Sequence, residues 1–251
     1  MKYIELFNAY ANERKTPQPE LRRIQSEIRD MGFDPGSLDG LWGPRTQRSL
    51  HNALSAMWGD ICDQNGWVYT REAEGNHVSR KRTERVTGLI VHWPGSIETA
   101  QSLGALCLRR QNRRQQWLDT PADQRGSRPG VASTHVGIDE KEVRWYAAPH
   151  LVTFHAGKDN GDTIGVDICS PPLAQDEQNA KDRGIWVGRV PGNPRFLNLH
   201  AALAIRTKKV RGLIEALFGR LTSEDHATVD PSRKIDCRAW EPVLTRTGVL
   251  D

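Results

Sequence analysis

The sequence predicts an α/β protein in which a helical N-terminal third precedes a larger region of mixed strands and helices. Two patterns carry that expectation. Leu21, Ile24, Ile28 and Met31 recur at helical spacing. Leu89, Ile90 and Val91 instead form an unbroken apolar run, the pattern of a strand buried on both faces. At 251 residues the chain is long enough for two units of unequal size, the larger with a core of its own.

The elements follow in chain order. Gly32 ends the first periodic helix, and Asp34-Pro-Gly36 and Asp39-Gly40 make consecutive turns. Pro44, after Gly43, suits the first position of a second helix that runs through Leu50, Leu54 and Met57. Glu72 to Arg85 is polar and charged, with Arg80-Lys-Arg82 and Arg85 close together, and reads as a linker. The apolar run 89–91 then ends in His92, which a strand presents at the rim of its sheet. A helix is predicted from Glu98 to Leu118, carrying Arg109, Arg110, Arg113 and Arg114 as the densest basic face.

Val131 to Asp139 and Val143 to Ala148 read as a strand pair joined by the polar turn Glu140-Lys-Glu142, with His135 in a structural role. Ile164, Val166 and Ile168 alternate with Gly165, Asp167 and Cys169, so a strand there sets Asp167 on the face opposite the isoleucines. An acid in an otherwise apolar strand is costly to bury unless it is paired, which marks Asp167 for chemistry or for a salt bridge. Residues 171 to 198 have no clear period and read as a long loop. Leu199, Leu203, Val210, Leu213, Ile214 and Leu217 make an amphipathic helix suited to packing on the sheet.

The stretch from Asp225-His226 to Lys234-Ile-Asp236 puts a histidine, a lysine and an aspartate in one short, turn-rich segment. Asp230-Pro-Ser232 should break the chain after His226, so that the following residues return to it extended. Lys234 and Asp236, two apart, would then share a face. Zinc accepts imidazole nitrogen and carboxylate oxygen, and a catalytic site uses three protein ligands. His92 is the best candidate for the remaining one. Any one of the eight histidines taken alone reads as structural before it reads as a ligand, and it is the joint pattern that singles out His92 and His226.

Taken in order, Gly88-Leu-Ile-Val-His92, Ala132-Ser-Thr-His-Val-Gly-Ile-Asp139, His155-Ala-Gly157, Thr163-Ile-Gly-Val-Asp167 and Asp225-His226 through Asp236 resemble the blocks of the zinc-dependent N-acetylmuramoyl-L-alanine amidases of the type-2 family. That family includes phage amidases and peptidoglycan recognition proteins. The resemblance spans about residues 85 to 245 and implies a mixed central β-sheet flanked by helices. It implies one zinc ion per chain, held by His92, His226 and Asp236, and hydrolysis of the amide between the lactyl group of muramic acid and L-alanine. Asp167, where the family usually has Glu, would be the general base, and Lys234 would stabilise the oxyanion. His155, Thr134 and Trp93 would contact substrate. Thr134 stands where some members have tyrosine, and Cys237, where proline is common, is a conceivable alternative ligand.

Leu21 to Leu54, with the core Asp39-Gly-Leu-Trp42-Gly-Pro-Arg-Thr46, resembles the small three-helix peptidoglycan-binding module often fused to cell-wall hydrolases. The resemblances imply a helical wall-binding domain over residues 1–66, a linker over 67–84 and a catalytic domain over 85–251, with Asp39, Trp42 and Thr46 marking the wall-binding module.

Composition bounds the setting. With 37% hydrophobic and 26% charged residues the chain reads as soluble, and no apolar run approaches the ~20 residues of a membrane span. Met1-Lys-Tyr-Ile-Glu-Leu-Phe lacks the apolar stretch of a signal peptide, and four cysteines without paired spacing point to a reducing compartment. These are expectations for a phage endolysin made in the host cytoplasm and acting on the wall. The alternatives are a non-catalytic peptidoglycan-binding protein and a cytosolic amidase that recycles muropeptides. The net charge of +4 favours anionic partners, with anionic cell-wall polymers and lipopolysaccharide equally suited, and the resemblances imply bacterial peptidoglycan as the partner. Nucleic acid is not expected, because no binding motif accompanies the charge. The chain is expected to be a monomer.

Overall fold

The computed structural model describes residues 2–74, 79–94, 99–130, 132–156, 160–169, 194–229, 245 and 248–250. Three helices open the chain: α1 (Lys2–Ala11), α2 (Gln18–Asp30) and α3 (Pro44–Gln64). Helix α2 buries Leu21, Ile24 and Ile28, the stripe that its spacing predicts, and it stops where Gly32 takes a φ of +88°. Pro44 sits at the first turn of α3, where its missing N–H costs nothing. Helix α1, which the sequence patterns did not single out, buries Tyr3, Leu6, Phe7, Ala9 and Tyr10.

The loop between α2 and α3 is organised around one buried amide. Gln25 is fully buried. Its Nε2 donates to the Leu41 carbonyl (3.1 Å), the Thr46 hydroxyl (3.2 Å) and the Asp39 carboxylate (3.3 Å), and its Oε1 accepts from the Gly40 amide (2.8 Å). Asp39 also accepts from the Leu41 amide, and Thr46 donates to the Pro35 carbonyl. Gly40 has a φ of +73°, and a Cβ there would come within 2.3 Å of the Gln18 carbonyl oxygen. The side chains of Asp39 and Thr46 are therefore occupied in shaping the loop. Trp42 is half-buried against the core.

The central sheet has six strands: β1 (Val68–Tyr69), β3 (Gly88–His92), β4 (Val136–Ile138), β5 (Val143–Trp145), β7 (Thr163–Ile168) and β8 (Thr222–Asp225). Their order is β1-β5-β4-β7-β3-β8, antiparallel only between β4 and β5, so the sheet is mixed and mostly parallel. Strands β2 (Ser79–Lys81) and β6 (Leu151–Thr153) form a separate antiparallel pair. Helix α4 (Ala100–Asp119) begins at Thr99, whose side chain accepts from the Ser102 amide. Helix α5 (Pro194–Phe218) starts earlier than its apolar period suggested, so residues 194–198 are helical rather than part of the expected loop. The rest of that loop lies outside the described residues. A single turn, α6 (His226–Val229), follows β8.

Helices α1, α2, α3 and α5 share one core with the sheet. Leu89, Val91, Ile164, Val166 and Ile168 pack in the same cluster as Leu6, Leu54 and Ile214. Trp58 of α3 meets Trp145 edge-on at 4.7 Å between ring centroids, and Phe7 of α1 meets Phe218 of α5 at 5.0 Å. Each such pair adds about 0.5–1.5 kcal/mol beyond the area it buries. The interval 67–84, read as a linker, supplies β1, β2 and, among the described residues, four buried side chains, Trp67, Ala73, Ser79 and Arg82. Among the described residues no helix is long and apolar enough to cross a membrane.

Candidate active site

The parallel strands β7, β3 and β8 end side by side, and open α/β sheets bind their ligands outside such carboxyl ends. His92 is the last residue of β3 and pairs in register with Asp167 of β7. Paired residues share a face, so both side chains stand on the side opposite Val91, Val166 and Ile168, which go to the core. The alternation of Ile164, Val166 and Ile168 with Asp167 placed the carboxylate correctly. His226 arrives from the neighbouring edge: β8 runs parallel to β3, and His226 is the first residue after it. Asp225 accepts from the Thr228 amide at 2.7 Å and caps the turn that carries His226.

Three imidazoles meet here. The rings of His92 and His226 lie 4.3 Å apart between centroids at 74°, and those of His92 and His155 lie 5.3 Å apart at 90°. His92 Nε2 is 3.1 Å from His155 Nδ1, and His155 Nε2 is 3.3 Å from the Thr163 hydroxyl. His92, His226 and Asp167 are all buried. The segment that carries His155 is fixed by Asn160, whose side-chain oxygen accepts from the amides of His155 (2.7 Å) and Ala156 (2.6 Å). His155 lies over β7 at Gly165, where a Cβ would come within 2.6 Å of the imidazole Cγ. Thr134 approaches the same spot, since that Cβ would also be 2.9 Å from its hydroxyl. The Thr134 hydroxyl is buried and makes no hydrogen bond among the described residues. Trp93, next to His92, is half-buried against the core. Burial, then His92, His135 and Arg82, hold the His155 pKa well below the ordinary imidazole value.

Beneath this layer lies a support that the sequence indicated only in part. His135 is fully buried. Its Nδ1 accepts from the Gly165 amide (3.0 Å) and meets the Thr153 hydroxyl (2.8 Å). Since an amide can only donate, the ring proton belongs on Nε2, which faces the Leu151 carbonyl at 3.0 Å. Burial first, and then Arg82, pull the His135 pKa down to about 3, so the ring is neutral. Arg82 is also fully buried, although its neighbours in sequence read as a solvated charge run. It donates to the carbonyls of Pro149, Leu151, Gly161 and Thr163, with Nη2 3.2 Å from His135 Nε2. Together the two side chains clamp β6 to β7 under Gly165. No periodicity announces a buried arginine, because its partners are backbone carbonyls of distant segments.

The structure therefore brings His92, His226, Asp167, His155 and Thr134 together. Lys234, Asp236 and Cys237 lie outside the described residues. Among those that are described, no group of three or more His, Cys, Asp or Glu side chains forms a metal-binding set. The donor chemistry of His92 and His226 nevertheless suits zinc, which takes imidazole nitrogen readily.

No family model and no curated protein matches the sequence. Several solved structures are similar in shape. A mutant endolysin from Bacillus subtilis is 14% identical, with 73% of this chain and 97% of that one covered at a TM-score of 0.46. The catalytic domain of XlyA is 13% identical, with coverages of 73% and 98% and a TM-score of 0.44. The Drosophila protein PGRP-LB is 11% identical, with coverages of 66% and 83% and a TM-score of 0.41. Likeness at this level leaves the chemistry to be read from the residues themselves.

Proposed function

We propose that this chain is a zinc-dependent peptidoglycan hydrolase that cuts the amide between N-acetylmuramic acid and L-alanine, in the manner of a phage endolysin. The observation that carries this reading is the meeting of His92 and His226 at the carboxyl ends of β3 and β8, with Asp167 in register beside His92. His92, His226 and Asp236 would hold the ion, one per chain. When bound, the ion supplies Lewis-acid chemistry, which makes water a usable nucleophile near neutral pH and polarises a carbonyl.

The remaining work falls to the chain's own side chains. The Asp167 carboxylate takes the proton of the attacking water and returns it to the departing amine nitrogen of L-alanine. The Lys234 ammonium offsets the charge that develops on the scissile carbonyl oxygen. His155 and the Thr134 hydroxyl approach the same spot over Gly165 and would contact the substrate, as would Trp93, the residue after His92. The helical region 1–66 tethers the enzyme to the insoluble wall, which raises the local substrate concentration without a new contact at the reacting bond.

Mass spectrometry of purified peptidoglycan after digestion tests this directly. The expected product is a peptide with a free L-alanine amine and a glycan with an intact lactyl carboxylate. Cleavage within the glycan or between peptide residues, or no cleavage at all, would overturn the reading.

A further inference from the structure

A second polar cavity, of ≈390 Å³, lies between the start of α3 and β2, and none of the histidine-site residues lines it. Pro44, Gln47, Arg48 and His51 line one wall, at the i, i+3, i+4 and i+7 positions that form one face of a helix. Ser79, Arg80 and Lys81 of β2 line the opposite wall. The volume is within the ~300–1,000 Å³ range of sites that take small ligands.

Its charge is unbalanced toward cations. Arg48 and Arg80 are exposed and make no ion pair or hydrogen bond among the described residues. Lys81 is paired with Glu13 and lies 4.6 Å over the Tyr10 ring. Among the described lining residues Glu74 is the one carboxylate, and its charge is already engaged. It accepts from Arg71 Nε (2.6 Å), the Ala148 amide (2.9 Å), the Ser55 hydroxyl (3.3 Å) and the Tyr69 hydroxyl. An anion entering between Arg48 and Arg80 therefore meets two uncommitted guanidinium groups, which favour planar, bidentate oxyanions. The Gln47 amide adds a hydrogen-bonding group suited to a peptide.

We propose that this cavity is the wall-binding site of the N-terminal helices and that it takes a free carboxylate of a peptidoglycan stem peptide. The proposal rests on the wall-directed function given above. It also explains why Asp39 and Thr46 are occupied with Gln25: they fix the loop that leads into α3, and the next turns of that helix make the contact.

The test follows the ring signals of His51, which lines the cavity, by NMR in the full chain, with assignment by His51→Gln. The probes are a soluble stem peptide with free carboxylates, the same peptide with its carboxylates amidated, and inorganic phosphate. The His51 signal should shift saturably with the first probe and far less with the second. Arg48→Ala/Arg80→Ala should weaken binding at least about tenfold, the scale of losing one charge-assisted contact. An unmoved His51 signal, equal affinity in the double variant, or tighter binding of phosphate than of the peptide would each overturn the proposal. Digestion of wall by the wild-type chain, run alongside, reads the enzymatic function alone. Cleavage with an unmoved His51 removes only the cavity, whereas peptide binding through Arg48 and Arg80 without cleavage removes only the hydrolase.

Discussion

His135 and His92 are both buried imidazoles on neighbouring parts of one sheet, yet they have opposite surroundings. Both ring nitrogens of His135 are engaged by backbone and Thr153, under a layer of protein. His92 stands at the end of its strand among His226, His155 and Asp167. The residue type is the same, and position relative to the strand separates them: His135 precedes β4 and His92 ends β3. A histidine buried before its strand begins is a hydrogen-bonding spacer, whereas one at the carboxyl rim meets the ends of other strands and can share a ligand with them.

The sharpest way to break that contrast is at the rim. His226→Ala should reduce zinc from about one per chain toward none and take activity below detection, because three ligands are the minimum for an open catalytic site. Elemental analysis that finds full zinc and normal turnover in this variant would remove His226 from the site. The same pair of measurements on Asp236→Ala and Cys237→Ser decides which of the two residues is the third ligand.

Next in size are the groups proposed to act on the reaction rather than on the ion. Asp167→Asn should lower turnover by about 10²- to 10⁴-fold. Lys234→Ala should lower it by about 10²- to 10³-fold. Both variants should keep zinc and the thermal midpoint of the parent. A fully active Asp167→Asn would make this carboxylate structural, like His135.

Beneath the rim the expected effect moves from rate to stability. His135→Ala leaves the Gly165 amide buried without its side-chain acceptor, at about 1–3 kcal/mol, whereas the Leu151 carbonyl keeps its bond from Arg82. Denaturant unfolding measures that loss. A variant as stable as the parent would mean that water or Arg82 replaces the ring.

The smallest expected effect is on pH dependence. The His135 pKa is about 3 in the fold, and that of His150 is also held well below the ordinary value, by burial first and by His51 next. Each binds a proton more readily once unfolded, so their contribution to stability is complete above about pH 6.5 and declines as pH falls toward the folded pKa. Each group should cost up to about 2 kcal/mol between pH 6.5 and 5. Unfolding midpoints across that range should fall with acid, and His135→Gln should flatten the slope. A flat wild-type profile would show that these rings take up protons as readily in the folded chain as in the unfolded one.

Much of this arrangement was legible from periodicity. The buried run ending in His92, the helix stop at Gly32, the helix start at Pro44 and the face occupied by Asp167 follow from local rules: a strand alternates faces every residue, and a glycine or proline restricts the backbone where it sits. The burial of Arg82, the strands within 67–84 and the occupation of Asp39 and Thr46 by Gln25 did not follow, because charge and motif describe a residue without its partners.

What the sequence determined by itself, then, is which residues point inward along each element and which chemistry they carry. The tertiary structure decided which of them meet. His92 and His155 are 63 residues apart in the chain, and Arg82 and His135 are 53 apart. Their contact depends on the strand order β4-β7-β3-β8, which brings β8 beside β3 and β7 between β3 and β4. No local period encodes that order. It is set by the pairing of strands distant in sequence and by one apolar face of the sheet finding its cover in α1, α3 and α5.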